Sequence, residues 1–253
     1  DVTESPFLTS VALGLEGVPL LIMGPFGGFL VDVLDRRKLL TGVYLYQGTL
    51  ALALAVGVIL GYVGSGQIFA FLLLVGISWV ITEPARASLT ANIIPEGGLI
   101  NAYALSTLGW SVTRLAVPVI GGFLIDVIGG GPTLFLEALL FYMGAIFAFS
   151  IRVRDTRTSR PKLSAVIPGL LEGARYVKDH RVVLALLVFG LTTPVLIFPF
   201  VTGLLPVYAA EVYHVGPTGL GLLMSISGVG MVVGTLVVAS LGNINYKGKL
   251  IVG

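Results

Sequence analysis

The sequence predicts an all-α, polytopic membrane protein with about seven complete transmembrane helices. Three observations lead there. Of 253 residues, 56% are hydrophobic and only 11% are charged, against about 25% charged in a soluble domain. The apolar residues gather into stretches of the length a bilayer requires, roughly 20 residues for a hydrocarbon core of about 30 Å. The basic residues cluster in alternate connections rather than over one face, so the net charge of +2 points to no nucleic-acid surface. Cysteine is absent, which excludes disulfides and thiolate metal sites from this chain.

Seven stretches qualify: residues 6–31, 39–61, 67–88, 100–126, 132–151, 182–206 and 217–242. The second and third are joined without a charge from Leu39 to Thr82, too long a run for one helix. The cluster from Gly61 to Gly66 divides them, as a glycine-rich turn does. Residues 152–181 form the one substantial polar stretch. Its first part is cationic and turn-rich, and its second, around Ser164 to Lys178, predicts an amphipathic helix on the inner membrane face. Pro194, Pro199 and Pro206 predict kinks in the sixth span, where irregular backbone can line a cavity. An eighth apolar run begins near Leu250. The chain opens on Asp1 and stops at Gly253 inside that run, which predicts a piece of a longer protein, cut at both ends.

Orientation follows from the basic residues. Arg36, Arg37 and Lys38 lie between the first two spans, and Arg86 ends the third. Residues 152–181 carry eight more, and Lys247 and Lys249 follow the seventh span. With alternating helices all of these fall on one side, and the connections near 61–66, 127–132 and 207–216 carry no Lys or Arg. The positive-inside rule makes the basic side cytoplasmic. Arg114 is the exception, deep in the fourth span.

The first and seventh spans also match each other. Laid together without a gap, Pro6 meets Pro217, Gly17 meets Gly228 and Leu30 meets Leu241. Further on, Asp32 meets Asn243, Arg36 meets Lys247, Lys38 meets Lys249 and Gly42 meets Gly253. Both copies run from outside to inside, so the repeat is parallel. Shared apolar character explains the Leu matches; the proline at the start and the spaced basic residues at the end indicate a repeat.

Gly28-x-Leu30-x-Asp32-x-x-x-Arg36-Arg37 resembles motif A of the major facilitator superfamily, with an Asp-Arg-Arg at 35–37 like that of its macrolide-efflux and enterobactin-exporter-like branch. Pro118-Val-Ile-Gly121-Gly122 is similar to the antiporter motif of the family's fifth helix. Leu204-Leu-Pro-Val-Tyr208 and the run from His214 to Met224 also resemble this branch. Two positions depart from the pattern: Val33 stands where a basic residue commonly follows the motif A aspartate, and Val117 where glycine usually precedes the proline. The resemblance covers the whole chain and implies a major facilitator fold truncated at both ends, since halves of six helices in parallel repeat are that fold's arrangement. Residues 1–151 would be an N-terminal half-bundle (family helices 2 to 6), 152–181 a cytoplasmic linker, and 182–253 the start of the C-terminal half-bundle (helices 7, 8 and the start of 9).

The candidate site residues fall in three groups. Glu16 and Arg114 lie near mid-bilayer, where charges are costly and face a cavity or a partner; they are candidates for the substrate or proton path. Gly28, Asp32, Arg36 and Arg37 would form the cytoplasmic gate, with Glu83 and Arg86 as its partners. Gly24, Gly27, Pro118, Gly121 and Gly122 are helix-packing positions, small enough for backbones to approach closely. Asp126 and Glu137 read as interfacial. Gly228-x-Gly230-x-x-x-Gly234 misses dinucleotide-loop spacing and lies inside a span, so packing accounts for it.

The implied function is secondary active transport: proton-coupled efflux of drug-like or siderophore-like amphiphiles by rocking alternating access. The implied partners are the small-molecule substrate, protons and the lipid bilayer, with no nucleic acid, no cofactor and no metal. The complete protein would be a monomer in a prokaryotic plasma membrane. Import of another solute is the alternative within the same class. An intramembrane enzyme is disfavoured because His180 and His214 lie at or beyond helix ends and no catalytic pair lies at depth. A seven-helix receptor or retinal protein is disfavoured by the parallel repeat, and the retinal type would need a lysine at a helix centre for its Schiff base, where none is predicted.

Overall fold

The computed structural model describes residues 6–94, 98–151, 166–192 and 198–240, and within them it is helix and turn. In order these are α1 (Pro6–Val33), α2 (Arg36–Ile59), α3 (Ser65–Ile93), α4 (Leu99–Ile128) and α5 (Gly130–Ser150). They are followed by α6 (Val166–Asp179), α7 (Arg181–Thr192), α8 (Phe198–Val207), a π-helical turn (Tyr208–Val212) and α9 (Pro217–Ser240). Among the described residues, five helices are long and apolar enough to cross a membrane: Arg36–Ile59, Ser65–Ile93, Asn101–Ile128, Gly130–Ser150 and Pro217–Gly234. The sixth expected span is represented by α7 and α8, on either side of 193–197. Pro194, the cationic part of the linker and the second copy of the repeat beyond Ser240 lie outside the described residues.

Local chemistry fixes the turns. Only Leu34 and Asp35 separate α1 from α2, and the Asp35 carboxylate accepts from the backbone N–H of Arg37 (2.9 Å) and Lys38 (3.1 Å). That N-cap starts the helix at Arg36 rather than Leu39, so the basic triplet is its first turn and not a loop. Helix α2 stops before Gly61, whose φ of +74° suits glycine. Across the next turn, the Gln67 side chain reaches back to accept from the Gly64 N–H at 2.9 Å and opens α3. Gly129 (φ +85°) alone joins α4 to α5, and its carbonyl accepts from the Thr133 hydroxyl at 2.7 Å. Beyond α8 the Tyr213 N–H reaches the Tyr208 carbonyl at 2.9 Å, the wider π spacing.

Helix α3 runs on to Ile93, past the expected end near 88, so Glu83 and Arg86 lie within the helix rather than at its terminus. Hydropathy marks the edge of the apolar stretch; backbone hydrogen bonding continues beyond it, even across Pro84, which lacks an N–H.

Packing is selective. Helix α1 lies along α3, α2 along α5 and more lightly along α3, and α4 along α9; α1 also meets α8. The interior is built from small side chains: Ala51, Ala55, Ala85, Ala138, Ala145 and Ala148 are buried, whereas Ile22, Leu105 and Phe147 are exposed, as side chains facing lipid tails should be. One polar pair is enclosed: Gln47 Nε2 on α2 donates to Ser78 Oγ on α3 at 2.7 Å. At the basic end, Val31, Leu40, Ala85, Leu89 and Ala148 form a buried cluster that brings α1, α2, α3 and α5 together.

The three glycines of the expected small-residue face behave differently. A Cβ on Gly27 would collide with the Val80 carbonyl oxygen of α3, whereas Cβ atoms on Gly24 and Gly28 would meet nothing within 4 Å. Helix α3 crosses on the Gly27 side, and the positions at i−3 and i+1 turn away from it. Gly27→Val is expected to destabilise the protein by about 1–3 kcal/mol through overpacking, and Gly28→Ala by no more than about 0.5 kcal/mol. Thermal unfolding in detergent measures both; equal effects would contradict the α1–α3 contact.

Candidate functional site

The chemistry concentrates at three levels along the helices. At the basic end, Asp32 is exposed and makes no hydrogen bond or ion pair among the described residues. The aspartate that acts locally is Asp35, as the cap of α2. Arg37 turns toward α5: it donates from Nη1 to the Ile151 carbonyl at 3.3 Å, and its guanidinium carbon lies 4.6 Å from the Phe149 ring centroid. This is cation–π geometry at the end of α5. Arg36 Nε is buried without a hydrogen-bond partner.

The second level lies between α3 and α4. Arg86 Nη2 donates to both Glu83 oxygens, at 2.7 and 3.0 Å, one turn apart on α3. The same guanidinium lies 5.2 Å from the Trp110 ring on α4, and Trp110 lies 6.4 Å from Trp79. Arg86, Ser106, Gly109, Trp110 and Thr113 line an open pocket of about 270 Å³. Glu83 and Arg86 are thus joined to each other and to an aromatic pair, and not to Arg36 or Arg37. An arginine held by a carboxylate and an indole face, with the hydroxyls of Ser106 and Thr113 on the same lining, offers donors beside an apolar surface. The meeting of Trp79 and Trp110 depends on how α3 and α4 are placed relative to each other, which neither helix's sequence encodes.

The third level is the seam between α4 and α9. These helices run antiparallel, and their backbones touch. A Cβ on Gly122 would collide with the Pro217 carbonyl oxygen, and one on Gly221 with the Pro118 carbonyl oxygen. One on Gly228 would come within 2.8 Å of the Leu115 Cα. Pro118 and Gly122 therefore lie in the seam, while Gly121 has open space where a Cβ would be. Ser225 is buried in α9 with its hydroxyl unpartnered. Half-buried Arg114 lies where Gly228 crosses. Glu16 sits in α1, and its side chain lies outside the described residues, so its distance to Arg114 is not part of the geometry. At the end of the seam away from the basic turn, Asp126 Oδ2 accepts from the Thr218 backbone N–H at 2.9 Å and from the Thr218 hydroxyl.

Apolar spans, a basic turn built on an aspartate cap and a glycine seam between distant helices define a polytopic helical membrane protein, consistent with the major facilitator arrangement. Residues 2–253 match the family described as transmembrane secretion effector, and the chain belongs to that family. It is 28% identical over 244 residues to the multidrug efflux pump Tap of Mycobacterium tuberculosis (strain ATCC 25618 / H37Rv), covering 88% of this chain and 55% of that protein. It is 23% identical over 257 residues to macrolide efflux protein A of Streptococcus pyogenes, covering 99% of this chain and 62% of that protein. The chain spans little more than half the length of these curated relatives.

The sequence contains two tryptophans, and both belong to the Arg86 cluster, so intrinsic fluorescence reads this pocket. Arg86→Ala is expected to shift the emission maximum and to raise its quenching by iodide, as the indole of Trp110 loses its cover. Emission identical to the parent protein would contradict the contact.

Proposed function

We propose that the complete protein is a secondary active transporter that exports drug-like amphiphiles, coupled to protons, by alternating access. The observation that carries this reading is the α4–α9 seam. Residues 1–151 and 182–253 are read as parts of two half-bundles and 152–181 as the cytoplasmic linker. On that division the seam is a contact between the halves. Close backbone packing of this kind relies largely on dispersion and has a discrete broken state, which suits a rigid-body rocking motion. The names of the relatives, a multidrug efflux pump and a macrolide efflux protein, support export and a substrate that is amphiphilic and not small and polar.

In this cycle the exposed Asp32 is the free half of a cytoplasmic gate. With Gly28, Arg36 and Arg37 it closes against the other half when the inner side shuts. Arg36 Nε, buried and unpartnered, is the donor left unpaired while that gate is open. The Arg86–Trp110 pocket takes a polar, oxygen-bearing part of the substrate against an aromatic face. Glu16 and Arg114 lie along the path at mid-membrane, with Glu16 as the proton carrier. The working protein is a monomer in a prokaryotic plasma membrane, with the basic turns on the cytoplasmic side.

Flux into inverted membrane vesicles carrying the full-length protein tests the reading, with macrolides, cationic dyes and catecholate siderophores as the panel. Accumulation is expected to need a proton gradient. Asp32→Asn is expected to lower it by roughly tenfold at unchanged protein level, the loss of one charge-assisted contact, and Glu16→Gln to uncouple it from the gradient. Accumulation that ignores the gradient and Glu16→Gln would remove proton coupling; no flux of any compound by correctly inserted protein would remove the export reading.

A further inference from the structure

Helix α9 begins without a cap of its own. Its first residue is Pro217, and the Gly216 carbonyl accepts the first helical hydrogen bond, from the Leu220 N–H at 3.0 Å, so Gly216 holds the N-cap position with no side chain to offer. The missing acceptor comes from another helix. Asp126, two residues before the end of α4, accepts from both the N–H and the hydroxyl of Thr218. A carboxylate at a helix N-terminus is favoured by the helix dipole as well as by the hydrogen bonds. Below this point the seam is close glycine and proline backbone, at Gly122 against Pro217 and Gly221 against Pro118.

We infer that Asp126 is a clasp that holds the outer end of the transport path shut. The inference rests on the transporter reading and adds to it a residue that neither motif contains. A cap made within one half would survive the rocking motion unchanged. This one joins α4 to α9, so it breaks each time the outer ends separate and re-forms each time they close. Asp126 is exposed and Thr218 partly so, and water replaces the lost hydrogen bonds on opening. The clasp therefore biases the equilibrium toward the outward-closed state without locking it. Losing it shifts the balance by the amount a lost helix cap does.

The test is a distance measurement on the full-length protein in liposomes, with transport of a macrolide followed in the same preparations. This chain contributes no cysteine, so spin labels placed through Val127→Cys and Tyr213→Cys, both exposed at the outer ends, report the α4–α9 separation. Asp126→Ala is expected to raise the population of long outer distances about fivefold. Thr218→Val, which keeps the backbone N–H, is expected to raise it less. Because the two ends move oppositely in a rocking motion, a label pair placed across the halves at the basic end should show the converse shift, toward short distances. Thr218→Val also serves if Asp126→Ala fails to fold. Transport by the parent protein together with unchanged outer distances in both variants would overturn the clasp and leave the transporter standing. No transport by the parent protein with a shifted distance distribution would leave the clasp and remove the reading on which its role rests.

Discussion

Close approach of helix backbones at glycine is the constraint on which the arrangement rests. Lipid tails are as apolar as leucine side chains, so apolar burial does not drive these helices together, and dispersion between closely fitted surfaces must do so. Many of the buried positions accordingly carry alanine or glycine, and large side chains such as Ile22 and Phe147 point outward. Gly27 sets the depth at which α1 meets α3, and Gly122 and Gly221 set it for α4 and α9. The first contact, on the proposed division, joins helices of one half-bundle. The second, on the proposed division, joins two halves, and the same packing physics then serves a fixed scaffold in one place and a parting surface in the other.

Two aspartates near helix ends show the same contrast in polar form. Asp35 caps α2 from the preceding residue, so its bonds are local and move with the helix. Asp126 caps α9 from the far end of α4, so its bonds depend on a tertiary contact. Between them, the Arg86 cluster ties α3 to the aromatic face of α4 without closing the gap between the helices. The membrane-facing scaffold, the capped helix ends and the pocket are thus separate pieces of the fold, each with its own kind of interaction.

Much of the fold was legible in the sequence because hydropathy and charge report directly on the bilayer. The spans, the glycine turn at Gly61 to Gly66 and the amphipathic helix α6 follow from those signals. Helix ends were less legible. The first turn of α2 and the last turns of α3 lie outside the apolar stretches, where capping and backbone hydrogen bonds decide the boundary. The Asp126–Thr218 pair was not legible as a contact, since it depends on which helices become neighbours. A signal was nonetheless present: Gly216-Pro217-Thr218 opens a helix with no capping side chain, so an acceptor had to come from elsewhere. Likewise Gly24 and Gly28 share a spacing that favours packing, yet only the crossing direction of α3 selects Gly27.

The most direct measurement bears on whether the α4–α9 seam must open. In the full-length protein, cysteines at Val127 and Val215, at the outer ends of the two helices, are joined by a short, reducible thiol cross-linker, and drug flux is measured before and after reduction. Alternating access along this seam predicts that cross-linking stops flux and that reduction restores it. Undiminished flux through cross-linked protein would contradict it.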